Sequence, residues 1–151
     1  MKLAEALIIR ADLQIKAAQI KQRMAQNIKV EEGEEPAEDI DLLFKKYESV
    51  MTELETIITR INKTNAATEM DKSTLADAIA KRDCIKAKIS TYRELIDKAS
   101  VIRERLYSSE KTKYVRCVDI TELRKITDDL AKQYRELDTK MQGLNWTVDL
   151  I

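Results

Sequence analysis

The chain contains no histidine, so the commonest general base, the commonest zinc and iron ligand and every imidazole-activated nucleophile are missing together. That one absence excludes the familiar hydrolase mechanisms and the Glu-x-x-His repeats of ferritin-like di-iron bundles. Two glycines, Gly33 and Gly143, and one proline, Pro36, in 151 residues are too few for an all-β sandwich or barrel, which needs a turn roughly every ten residues. Glycines placed singly build no phosphate loop either. Cys84 and Cys117 lie far apart without C-x-x-C spacing and read as buried, reduced thiols. Long apolar runs are missing too. Residues 1–28 interleave Lys2, Glu5, Arg10 and Asp12 with their apolar positions, which argues against an export signal or a membrane span and for a cytoplasmic protein. Finally, 27 Lys+Arg stand against 27 Asp+Glu, a balance that leaves no global field to attract nucleic acid. The basic residues of 103–116, with Tyr107 and Tyr114, are diluted by Glu104, Glu110 and Asp119 and read as a solvated surface.

What remains is helix. Apolar positions at Leu3, Leu7, Leu13, Ala17, Ile20, Met24 and Ile28 form a stripe of mixed three and four spacing, broken at Arg10. Residues 29–39, with Gly33, Pro36 and an acidic run from Glu31 to Glu35, mark a solvated turn. A second helix follows over 39–66 through Leu43, Tyr47, Val50, Leu54, Ile57 and Ile61. Ser73 is the expected N-cap of a long third helix running through Leu75, Ile79, Ile85, Ile89, Tyr92 and Ile96 to Leu106. Residues 112–118 alternate β-formers and read as a short strand. Asp119 or Thr121 then caps a fourth helix, Leu123 to Leu144, and Trp146 to Ile151 is a tail. Met24, Met51 and Met141 fall on the stripes as core filler.

The two halves resemble each other. Leu3, Ala4, Glu5, Ala6, Leu7 and Arg10 recur 72 positions later as Leu75, Ala76, Asp77, Ala78, Ile79 and Arg82. At an offset of 80, Asp39, Ile40 and Leu43 match Asp119, Ile120 and Leu123, while Asn65 matches Asn145. A doubled helical hairpin (pseudo-repeat 1–66 and 73–146) folds most simply as one all-α antiparallel four-helix bundle over 1–151. Its corresponding linkers, Ile28 to Val30 and Tyr114 to Val118, are placed to pair as a small two-stranded antiparallel ribbon.

Arg10 and Arg82 stand where their stripes call for apolar side chains, so both guanidiniums should face inward and need partners. An antiparallel register pairing Leu75 with Asn145 brings Arg82 level with Asp138. The same register in the first hairpin, Leu3 beside Asn65, brings Arg10 level with Ile58, where no carboxylate stands. Asn62, Asn65, Gln142 and Asn145 lie towards the same end, beside Trp146. This constellation reads either as a polar network fixing register and subunit contacts, or as a site for a small anionic ligand held by arginine forks and amides. No catalytic residue, metal ligand or cofactor is read from the chain.

The segments Lys2 to Leu7 with Arg10 to Gln14, Glu32 to Glu34 with Pro36, Arg60 to Asn62 with Thr64 and Asn65, Thr74 and Leu75 with Arg82 and Asp83, and Arg135 to Asp138 with Asn145 and Trp146 resemble the septicolysin-like family of small bacterial proteins. The resemblance implies a bacterial protein, and the family name implies a membrane-active, cytolysin-like role. The residues themselves point to a structural or self-associating module, a homo-oligomer, with small-anion binding as the alternative reading.

Overall fold

The structure is a computed structural model describing residues 1–100 and 114–151. Among these residues the chain is all-α, as expected, with four helices and one two-stranded antiparallel ribbon: α1 (Leu3–Asn27), α2 (Ile40–Ala67), β1 (Glu69–Met70), β2 (Ser73–Thr74), α3 (Leu75–Ser100) and α4 (Ile120–Thr147). It divides into two compact units, one of Met1–Ala76 with Gln142–Ile151, the other of Asp77–Met141.

In the first unit α1 and α2 form a hairpin whose buried seam alternates three and four spacing. Leu3, Ala6, Leu13, Ala17 and Ile20 meet Leu43, Val50, Leu54, Ile57 and Ile61, the repeat that keeps two helices in contact along their length. At the hairpin tip the expected turn forms, with Gly33 in the left-handed region at φ 90°. Asp39 caps α2 by accepting from the Asp41 and Leu42 amides at 2.9 and 3.3 Å. Arg23 grips the Glu38 carboxylate through Nε, at 2.8 Å, and Nη2. Asn27 donates to the Arg23 carbonyl and accepts the Glu38 amide, both at 2.9 Å. Because its amide is satisfied, Asn27 is buried, whereas Ile28, expected on the stripe, is 59% exposed.

The ribbon lies elsewhere than expected. Glu69 pairs with Thr74 and Met70 with Ser73 around a turn in which Asp71 takes φ 54°, a conformation aspartate tolerates better than most residues. Ile28 to Val30 and Tyr114 to Val118 form no strand; β-formers need a partner strand to make a ladder, and Val115 is 82% exposed. Residues 112 and 113 of the expected strand, and the third helix beyond Ser100 to Leu106, lie outside the described residues, as does Tyr107. Ser73 sits in β2 rather than capping α3.

In the second unit α3 presents Ala78, Ile85, Ile89 and Ile96 to the interior, and Met141 of α4 is buried. Ile89 shares a cleft with Ala131 and Tyr134, and Ile96 shares another with Arg124 and Thr127, so the numbers on the two helices run in opposite directions. Asp119 caps α4, accepting from the amides of Thr121 and Glu122 at 2.9 and 3.2 Å. Both cysteines are free, but exposed rather than buried. Met51 on α2 is likewise 37% exposed, off the buried seam of its own helix, whereas Met141 is buried on α4.

Candidate functional site

The seam arginines part company in their surroundings. Arg82, in the second unit, sends Nε and Nη2 to the Asp83 Oδ1 at 3.0 and 2.8 Å and Nη1 to the Asp138 Oδ1 at 3.2 Å, the partner its helical register predicts. Burial opposes its charge, but the hydrogen bonds and charges of Asp83 and Asp138 outweigh that, and its pKa is raised above the ordinary arginine value. Arg10, in the first unit, is half-buried, and its Nε is buried with no hydrogen-bond partner. Neither Glu55 nor Asp12, both exposed, pairs with it among the described contacts.

Among the described residues no hydrogen bond joins the amides expected beside them. Asn62, Gln142 and Trp146 are exposed, Asn65 is half-buried and Asn145 is buried. The close polar contacts of this end are made by residues that sequence reasoning passed over. The tail runs antiparallel to the start of the chain, with Lys2 bridged to Asp149, the Leu3 amide donating to the Val148 carbonyl at 3.0 Å and the Leu150 amide to the Met1 carbonyl at 2.9 Å. Lys2 Nζ adds an ion pair to Asp149 at 2.9 Å and a hydrogen bond to the Thr147 carbonyl at 3.0 Å. The hydrogen bond from Lys2, then its charge, holds the Asp149 carboxyl below its usual range. Thr64, almost fully buried on α2, accepts the Ile151 amide at 3.0 Å and donates to the Arg60 carbonyl at 2.9 Å. Arg60 Nε closes the circuit on the Ile151 carbonyl at 2.9 Å. A lysine near the start of the chain, with polar residues of α2, thus clasps the tail.

A groove of about 440 Å³ between α1 and α2 is lined in part by Lys16, Arg23, Lys46 and Glu53. Its arginine is already committed to Glu38. Among the described residues no group of three or more Cys, Asp and Glu is placed to hold a metal ion, and no helix is long and apolar enough to cross a membrane.

The exposed surface carries one further pattern. Ile8, Ala11, Ile15, Ala18, Gln22 and Ala25 are all exposed on α1, at alternating three and four spacing on the side opposite the buried seam. This helix therefore has two apolar faces, where a helix of a simple hairpin has one. The positions 72 later on α3 are Ala80, Asp83, Ala87, Ser90, Glu94 and Asp97, largely polar, so the equivalent helix of the second hairpin does not repeat this face.

The model of a family described as "Family of unknown function (DUF6847)" matches residues 10–150. A crystal structure of a functionally unknown conserved protein from Corynebacterium diphtheriae is similar over the whole chain, with 38% identity, a TM-score of 0.90 and coverage of 100% of this chain and 99% of that one. No curated protein matches. These findings overturn the septicolysin-like resemblance: the short segments that carried it are fragments of helix and turn, whereas the match of the family model runs nearly end to end.

Proposed function

The chain belongs to the DUF6847 family of unknown function, and from its own geometry we propose that it is a self-associating helical interaction module whose partner is a second copy of itself. The observation that carries this reading is the outer face of α1. Ile8 is 53% and Ile15 58% exposed, at a spacing that fits a heptad seam with small residues between them. Isoleucines left in water at this spacing forfeit their burial free energy unless another helix covers them.

The face is complementary to itself. When two copies of α1 lie antiparallel about a twofold axis, Ile8 meets Ala25, Ala11 meets Gln22 and Ile15 meets Ala18, so each large side chain faces a small one. On the flanks Asp12 lies against Gln19 and Lys21 against Gln14, and no like charges oppose each other. This pairing commits the face to one occupant.

Light scattering coupled to size exclusion tests the proposal. The parent is expected at twice the chain mass, and the double variant Ile8→Glu, Ile15→Glu at the mass of one chain with unchanged helical circular dichroism. A parent that runs as one chain at millimolar concentration rejects self-association. A dimer indifferent to both substitutions rejects α1 as its face.

A further inference from the structure

The contrast between the two seam arginines carries an inference argued from observations other than the outer face of α1. Arg82 is held by two carboxylates, Asp83 on one edge and Asp138 on another. At the offsets of 72 and 80 that superimpose the hairpins in sequence, the residues corresponding to Asp83 and Asp138 are Ala11 and Ile58. Both carboxylates are thus replaced by apolar residues at the corresponding positions of the first hairpin, while the arginine itself stays, half-buried with a buried Nε that has no partner. A guanidinium withdrawn from water needs an acceptor, and an unpaired buried donor is rare in folded proteins.

We infer that Arg10 is a receiving position for a carboxylate from outside the hairpin, which takes the place on Arg10 that Asp83 and Asp138 take on Arg82. A singly charged carboxylate fits better than a phosphate, because Arg82 is matched by carboxylates one oxygen at a time and a dianion pays a larger desolvation cost at a half-buried position. The carboxylate belongs either to a small organic acid or to a side chain of a second copy, and the two sources give different concentration dependences.

The arginine Nε–Hε signals of the full chain report on this site, and Arg10→Met assigns the relevant one. Sodium acetate, titrated at constant ionic strength against sodium chloride in dilute protein, is expected to move that signal saturably and to raise the melting temperature by roughly 2–4 °C. If a second copy supplies the carboxylate, the signal moves instead with protein concentration in the absence of acetate. A signal unmoved by either overturns the inference. Ile58→Asp, which restores the partner Arg82 has, is expected to shift the signal by itself and to abolish both responses. Where that variant fails to fold, Ala11→Asp serves for the acetate response in dilute protein, where its place on the proposed self-association face does not enter, since it supplies the counterpart of Asp83. An Ala11→Asp chain that still responds to acetate as the parent does also overturns the inference.

Discussion

Arg82 keeps its charge inside a helical seam because two carboxylates reach it, and the amount this contributes follows from how wet the pair is. The side chains of Arg82 and Asp138 are 25% and 30% exposed, between the surface pairs worth about 0–1 kcal/mol and the dry pairs whose breakage costs about 3–5 kcal/mol. Asp83 remains to hold the guanidinium when Asp138 is lost. Asp138→Asn is therefore expected to lower the unfolding free energy by about 1 kcal/mol in urea titrations. Combining it with Arg82→Gln should cost less than the two single losses together. Glu38 and Asp149 make an acid-sensitive pair of contacts. Glu38 is held below its ordinary 4.5 by the hydrogen bond from Arg23, against some desolvation, and Asp149 below its ordinary 3.8 by Lys2. A carboxyl depressed on folding contributes stability that is complete above its ordinary value and is lost as pH falls through the depressed one. The urea midpoint should hold steady from pH 7 to 5 and fall below about pH 4.5. Glu38→Gln should lower it at pH 6 and lie nearer the parent at pH 3.

The tail is fastened to α1 and α2 mostly by backbone groups, and Thr64 is the side chain on which it turns. Thr64→Val keeps the shape but leaves the Ile151 amide without its acceptor. Because water reaches the exposed Ile151, the loss should sit near the lower end of the range for an unpaired donor, about 1 kcal/mol. Hydrogen exchange at the Leu3, Leu150 and Ile151 amides should quicken in that variant and stay protected in Thr64→Ser. None of this was legible in the sequence, since bonds such as Leu3 to Val148 and Leu150 to Met1 join peptide groups and leave no side-chain signature. The Arg82–Asp138 pair was legible, because an antiparallel hairpin with a fixed seam has one register and that register sets the two level. The ribbon was misplaced for a physical reason: the alternation of Tyr114 to Val118 records only a preference for extended backbone, whereas the pairing at Met70 and Ser73 comes from a tight turn through Asp71. The second face of α1 is not legible in the sequence because a single stripe per helix already accounts for the hairpin, and Ala11 and Ala18 gain meaning only from Ile8 and Ile15 exposed beside them. Expecting Asn62, Gln142 and Trp146 in a polar network had a similar cause, since position near a helix end does not determine which way a side chain turns.

Charge balance bears on how copies of the chain meet. With 27 cationic and 27 anionic residues, no net repulsion opposes association, and the pairing proposed for α1 sets no like charges opposite each other. Association through Ile8 and Ile15 would then be driven by apolar burial, which added sodium chloride does not screen, rather than by ion pairs, which it does. Linkage gives the thermal consequence: a partner that binds only the folded chain raises the melting temperature as the chain is concentrated. For the parent the melting temperature should climb by several degrees between about 1 and 100 μM chain, since a hundredfold rise above the dissociation constant corresponds to about 2.7 kcal/mol and each kcal/mol to roughly 2–4 °C at this size. The climb should persist at 0.5 M salt, a concentration that would flatten it if ion pairs held the copies together. In the Ile8→Glu, Ile15→Glu chain the melting temperature should be the same at every concentration. A parent curve equally flat would leave the outer face of α1 as exposed apolar surface with no second copy to cover it.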